Sequence, residues 1–449
     1  MTGRLEERVP VYDLLGIGFG ISNLALAVAL EERNSQASDS DALSAIFIEK
    51  QPRFGWHRGM LIDGARMQVS FLKDLVTMRN PSSEFSFLSY LHGRGRLVDF
   101  INHKTFFPSR LEFHDYLEWA ASRFDHLVEY GSEVIEVEPV MSNGTVVCFD
   151  VIARQGNTAD LLVRRARNIV IALGLEPSLP AGVVLSDRIW HNYDLLGRLE
   201  DLPSVSLGHF TVVGAGQSAA ETAGYLHRRF PKAEICAVFS RYAYTPADDS
   251  SFANRIFDPE AVDFFFTASD DVRQMLLDYH QNANYSAVDR ELINELYRRA
   301  YQEKVHGEQR LRILNASRVA AVQPTPTGVR VTVEFLPTGE RTVLDSDVLV
   351  YATGYRSADP LDVLGGEVGG LCMQDREGRL RIGRDYRVAT PAKVRCGIYV
   401  QGATEHTHGI SSTLISNAAV RVGEIIQSLT DHSRVATSQQ PCVLSGDRA

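Results

Sequence analysis

Apolar residues in this chain fall in short unbroken runs, separated by stretches of mixed polarity. Residues 12–17, 45–49, 168–173, 233–240 and 347–355 are such runs, rich in Val, Ile and Leu. A short apolar run bounded by turn residues reads as a strand buried on both faces, the pattern of a parallel sheet. Helical spacing follows the first run over residues 22–32. It recurs at 85–91, 112–124, 261–280 and 290–303. Strands are also expected over 127–138, 381–388 and 397–402, and a last helix from 408 to about 429. Residues 51–74 show neither period and predict an irregular segment packed on something flat and apolar. The ends, 1–10 and 431–449, are polar, and order is expected in neither. The expected class is therefore α/β, with two Rossmann-like dinucleotide-binding units and a smaller, mainly helical insertion.

Two glycine motifs carry that expectation. YDLLGIGFGISNLALAVAL (12–30) places Gly18 and Gly20 after a strand and Asn23 inside the helix that follows. VVGAGQSAAE (212–221) does the same with Gly214, Gly216, Gln217 and Ser218. A strand that turns tightly into a helix needs glycine where a Cβ would strike the turn or a bound phosphate. The helix N-terminus then offers free N–H groups to a pyrophosphate. Each copy has its own strand-then-glycine exit downstream, at Gly174 and at residues 347–355. Two such folds in one chain imply an enzyme that passes electrons between two dinucleotides.

At 449 residues the chain exceeds one ordinary core. A net charge of −10 disfavours nucleic acid or an anionic membrane as partner. No run approaches the roughly 18 apolar residues of a membrane helix, and MTGRLEERVP lacks a signal-peptide core. The five cysteines have no CxxC spacing, which fits a reducing compartment such as the cytoplasm and excludes a dithiol reductase.

Several side chains invite chemistry. Glu49 ends the second strand, where an acid holds a ribose hydroxyl, although a solvated strand end would read the same. Arg241 occupies the equivalent place in the second fold and suits a 2′-phosphate, a stacked adenine or plain solvent. Lys73 sits among apolar neighbours and needs an anion, either another side chain or a substrate carboxylate. Ser411 or Ser412 is expected to cap the last helix. His406 and His408 lack further ligands at metal-binding spacing.

Together these segments resemble the microbial N-hydroxylating flavin monooxygenases that act on L-ornithine or L-lysine. The likeness spans residues 10–430 and rests on GIGFGISNLALA, GWHRGML, MQVSFLKDLVTMRNPSSEFSFLSYL, TFFPSRLEFHDYLEWA, VVGAGQSAAE, FANRIFDP, NANYSAVD, ATGY and HTHGISSTLISN. GRLVDFIN resembles the ornithine members more than the lysine members. Ile21 departs from the proline usual in the first turn. The resemblance implies FAD contacts at Gly18, Gly20, Asn23, Glu49, Lys50, Trp56, His57, Gln68, Val134, Thr413, Leu414 and Ile415. NADPH contacts would fall on Gly214, Gly216, Gln217, Ser218, Arg241, Asn284 and Ser286. Lys73 would hold the ornithine carboxylate, with Asn254, Asn284 and Ser416 around the rest.

The implied reaction is NADPH reduction of FAD, oxygen addition at flavin C4a, and attack of the substrate amine on the hydroperoxide. No residue need act as nucleophile, base or metal ligand. Residues 10–205 with 356–430 would bind FAD, 206–247 with 311–355 NADPH, and 248–310 the substrate. A homotetramer or dimer serving hydroxamate siderophore or related peptide synthesis is the further implication. Lysine N6-hydroxylation, then diamine hydroxylation, are the nearest alternatives. Ketone-oxidising flavoproteins carry an FxGxxxHxxxW signature that is not seen here, and a flavin-bound redox sensor would form no product.

Overall fold

The computed structural model describes residues 10–437 apart from 157, 159, 203–206 and 285–286. The chain enters through β1 (Val11–Ile17), turns at Gly18 into α1 (Ile21–Asn34), and returns as β2 (Ala45–Glu49). Helices α2 (Phe87–Gly93), α3 (Leu97–His103) and α4 (Arg110–Ala121) precede β3 (Val128–Tyr130), β4 (Ser132–Ser142), β5 (Thr145–Gln155) and β6 (Leu161–Ile171). These strands form one sheet in the order β3-β2-β1-β6-β5-β4. The length of β6 makes this possible. Its second half pairs in parallel with β1, and its first half pairs antiparallel with β5. β1 and β2 are apolar because both faces of the sheet are buried here. Leu14 and Leu15 of β1 are fully buried and belong to separate cores on opposite sides of the sheet.

Past β7 (Leu175–Pro177) and β8 (Ile189–His191), α5 (Leu195–Glu200) leads toward the second glycine motif. There β9 (His209–Val213), α6 (Gln217–Arg229) and β10 (Glu234–Val238) repeat the first motif's layout. The insertion comprises β11 (Thr245–Pro246), α7 (Pro259–Thr267), α8 (Asp270–Asn284), β12 (Ala287–Val288) and α9 (Arg290–His306). Then come β13 (Leu311–Leu314), an antiparallel trio β14 (Ser317–Pro324), β15 (Val329–Phe335) and β16 (Arg341–Ser346), and finally β17 (Val348–Tyr351). The second sheet is all parallel, in the order β13-β10-β9-β17-β8. The two strand-then-glycine exits meet. β18 (Tyr355–Ser357) pairs antiparallel with β7, tying the two crossings together. After α10 (Leu361–Gly369), β19 (Gly397–Val400) rejoins the first sheet beside β6. A short α11 (Glu405–His408) and the long α12 (Ala418–Thr437) close the chain.

Four local expectations need correction. Residues 261–280 form two helices, because Arg273 donates to the carbonyls of Phe265 and Phe266 at 2.7 and 2.9 Å and terminates α7. Residues 381–388 form no strand. They make isolated bridges around a turn in which Tyr386 adopts φ of +65°. The last helix starts at Ala418 rather than 408. Gly409 takes φ of +78°, and two turns of 3-10 helix follow it. Finally, α12 runs to Thr437, beyond the expected start of the tail at 431.

Candidate active site

Both glycine turns open onto one cavity of about 2400 Å³. At the first turn Gly18 has φ of +84°, and a Cβ there would lie 2.4 Å from the Ala172 carbonyl oxygen. Gly20 is different. Nothing lies within 4 Å of where its Cβ would be, so the backbone is bare and the first N–H groups of α1 are open to an anion. Asn23, expected as a direct contact, braces the turn from behind. It is fully buried, donates to the Gly18 carbonyl at 2.7 Å and accepts from Gln401 at 3.1 Å. Glu49 accepts from the Phe19 N–H at 2.6 Å and the Gln51 N–H at 2.8 Å. With 6% exposure it is no solvated strand end. Its remaining lone pairs can accept sugar hydroxyls. Bare turn, helix start and fixed carboxylate together fit an adenine dinucleotide.

The second turn repeats the device on the second sheet. Gly214 has φ of +144°, and its Cβ would meet the Ala352 carbonyl oxygen at 2.2 Å. Gly216 caps α6, where the Gln217 amide accepts from the Asp289 N–H at 2.8 Å and donates to Glu221 at 2.9 Å. Arg110, on α4, grips the same Glu221 through two hydrogen bonds of 3.0 and 2.9 Å. It also donates to the Met60 carbonyl. This buried pair locks the first fold to the second. No local pattern announces it, since the partners lie 111 residues apart.

Gly18, Gly20, Glu49, Lys50, Trp56, His57, Gln68, Val134, Thr413, Leu414 and Ile415 all line the cavity. So do Gly214, Gly216, Gln217, Ser218 and Arg241, together with Lys73, Asn254 and Ser416. Asn284 ends α8, but its side chain, like the whole of Ser286, lies outside the described residues. His57, in a left-handed conformation, packs edge-on against Trp56 and is exposed to the cavity, with protein crowded around it. Desolvation by that surrounding protein, ahead of the nearby Arg110 and His114, pulls its pKa down to about 4.

The Lys73 ammonium lies 5.9 Å from the centre of the Phe257 ring. Burial lowers its pKa and the charge of Asp258 opposes that shift. It makes no ion pair among the described residues, so it is a half-buried cation facing a cavity. Ser416 is 2% exposed and its hydroxyl has no hydrogen-bond partner among the described residues. Ser411 and Ser412 are occupied. Ser411 accepts from Asn417 at 3.0 Å, and Ser412 donates to the Gly409 carbonyl at 2.6 Å. Asn254 donates to the Asp249 carbonyl at 2.9 Å. The cavity therefore presents a half-buried cation and an unsatisfied buried hydroxyl, and both glycine turns open onto the same space.

A family model described as L-lysine 6-monooxygenase/L-ornithine 5-monooxygenase matches residues 10–357. An L-ornithine N(5)-monooxygenase of Burkholderia cepacia is 40% identical over 409 residues, covering 90% of this chain and 91% of that relative. An ornithine N-hydroxylase of Kutzneria sp. 744, solved with reduced FAD, NADP+ and L-ornithine, is 47% identical with a TM-score of 0.89. The match covers 94% of this chain and all of that one. The ornithine hydroxylase of Pseudomonas aeruginosa superposes with a TM-score of 0.86 at 37% identity, over 94% of this chain and all of that one.

Proposed function

Because the chain belongs to the L-lysine 6-monooxygenase/L-ornithine 5-monooxygenase family, we propose that it hydroxylates L-ornithine to N5-hydroxy-L-ornithine with FAD, NADPH and molecular oxygen. The observation that carries the reading is the single cavity shared by both glycine turns, with the Lys73 cation inside it. FAD is assigned to the Gly18–Gly20 cradle and NADPH to the Gly214–Gly216 cradle. Held there, FAD would supply the redox chemistry, with NADPH as electron donor and molecular oxygen as the source of the atom transferred.

The chain's own residues do the rest. Lys73 pairs with the amino-acid carboxylate and sets how far the side chain reaches toward the flavin. The Ser416 hydroxyl gains the partner its burial demands. The tail amine must be neutral to react, yet an alkyl ammonium with pKa near ~10.4 is neutral in only about one molecule in 10³ at pH 7. Asn254 offers an amide rather than a fixed charge, which favours the neutral amine. Asp248 also lines the cavity, but its full exposure screens it. Trp56, Met67 and Phe257 line the wall and limit water at the reacting nitrogen.

Residues 10–205 with 356–430 would form the flavin unit, 206–247 with 311–355 the nicotinamide unit, and 248–310 the substrate insertion. We further place the enzyme in the cytoplasm as a homo-oligomer, supplying hydroxamate siderophore or related peptide assembly. In support of a soluble location, no helix among the described residues is long and apolar enough to cross a membrane.

The test is direct. Purified protein with NADPH and oxygen should form hydroxylamine from ornithine and little from lysine. Lys73→Ala should keep FAD and NADPH oxidation while hydroxylation falls by about 10² or more, the loss of one charge-assisted contact. Normal yield of N5-hydroxy-L-ornithine and normal KM for ornithine in that variant would remove Lys73 from the site.

A further inference from the structure

Arg421 is the most completely buried cation on the cavity wall. It lies on the first turn of α12 and is 2% exposed. Its guanidinium donates to the Gln401 side-chain oxygen at 3.2 Å, the Ser412 carbonyl at 2.6 Å and the Ser22 hydroxyl at 3.4 Å. All three acceptors are neutral. The nearest carboxylate that influences it, Glu424, is already held by Arg384 at 2.7 and 3.0 Å. Arg421 forms no ion pair among the described residues. Burial accordingly pulls its pKa below the usual arginine value. A guanidinium carries five N–H bonds. The three contacts leave the second hydrogen on each terminal nitrogen uncommitted.

A buried charge without a counter-charge is costly and is tolerated where an anion arrives to meet it. The place is specific. Arg421 touches Ser22, one residue into α1 and two past the bare Gly20. The cavity is lined at this point by Gly18, Gly20, Ile21, Ser22, Gln401 and Arg421. A neutral sugar or ring would leave the cation unmatched. We infer that Arg421 is the cationic seat for the pyrophosphate of the dinucleotide held at the first glycine turn, acting with Ser22 and the N–H groups of α1. The inference rests on the flavin reading of that cradle. It adds the one charge that the glycine motif itself does not supply.

The experiment compares FAD with riboflavin, which shares the ring system and lacks the phosphates, on apoprotein, by flavin fluorescence. For Arg421→Gln, FAD affinity should drop by about 10- to 100-fold while riboflavin affinity holds. Equal loss of both ligands, or loss of neither, would make Arg421 a packing residue and overturn the assignment. If the glutamine variant does not fold, Arg421→Met decides on the same ratio. A thioether side chain keeps much of the packing volume and removes the charge. A fall in the FAD-to-riboflavin ratio of about threefold or more supports the seat, and an unchanged ratio overturns it. Wild-type apoprotein that fails to bind FAD would instead sink the flavin reading itself.

Discussion

A lysine that ends over a phenyl ring, and a serine buried with its hydroxyl unanswered, describe at residue scale a pocket built for a ligand. Sequence reasoning reached Lys73 because an amine among Phe71, Leu72 and Leu75 has few ways to be satisfied. It left Lys73 open between a salt bridge and a substrate carboxylate, and among the described residues no salt bridge forms. Arg241 was legible from position alone, at the end of the strand after the second glycine helix. Its Nη1 lies 3.5 Å from the Thr245 hydroxyl, and the residue lines the cavity. If it reads the 2′-phosphate, Arg241→Ala should raise the KM for NADPH by about 10-fold or more while KM for NADH changes little. Steady-state kinetics with both nucleotides check this, and an unchanged preference would exclude it. Asn23 shows the opposite lesson. Its place in the motif is evident from spacing, whereas its job behind the turn depends on Gln401, 378 residues away.

At the scale of elements, the glycines of these turns do two different jobs. Gly214 faces backbone at 2.2 Å with a positive φ, while Gly20 faces open space. Gly214→Ala should therefore destabilise the apoprotein by about 1–3 kcal/mol from strain and overlap. Gly20→Ala should leave apoprotein stability within about 0.5 kcal/mol and weaken FAD binding, because its Cβ enters the phosphate space. Urea melts of apoprotein with flavin titrations separate the two. Elements set by local apolar runs, such as β2, were readable to the residue. Elements cut by distant or tertiary contacts were not. The break between α7 and α8 needs the Arg273 side chain folded back on Phe265 and Phe266. The delayed start of α12 needs Gly409 in a left-handed turn packed on Phe265. Periodicity alone runs straight through both.

Across the whole molecule, several histidines are held below their usual pKa by burial, and that erodes stability in acid. His408 is 1% exposed, stacked on Tyr386, with Arg384 and Arg421 nearby. Burial lowers its pKa from 6.5 to about 4. Above pH 6.5 neither folded nor unfolded chain protonates it. As pH falls from 6.5 to about 4 the unfolded chain takes a proton that the folded one refuses, so stability drops, by about 3 kcal/mol for this residue. Urea midpoints across that window should fall with pH, and His408→Gln should flatten the fall. An equal slope in wild type and variant would clear His408 of the effect. Burial likewise lowers His114, His191, His227 and His406, so the variant should flatten the slope without abolishing it. By itself the sequence determined the two glycine turns, the strands feeding them and the acid that ends β2. Each is a constraint that a few neighbouring residues impose on one stretch of backbone. Only the tertiary structure decided that both turns share a cavity, that Arg110 bolts one fold to the other through Glu221, and that Arg421 reaches Ser22 from 399 residues away. Those are matters of which surfaces meet, and burial and charge balance act through space without regard to order along the chain.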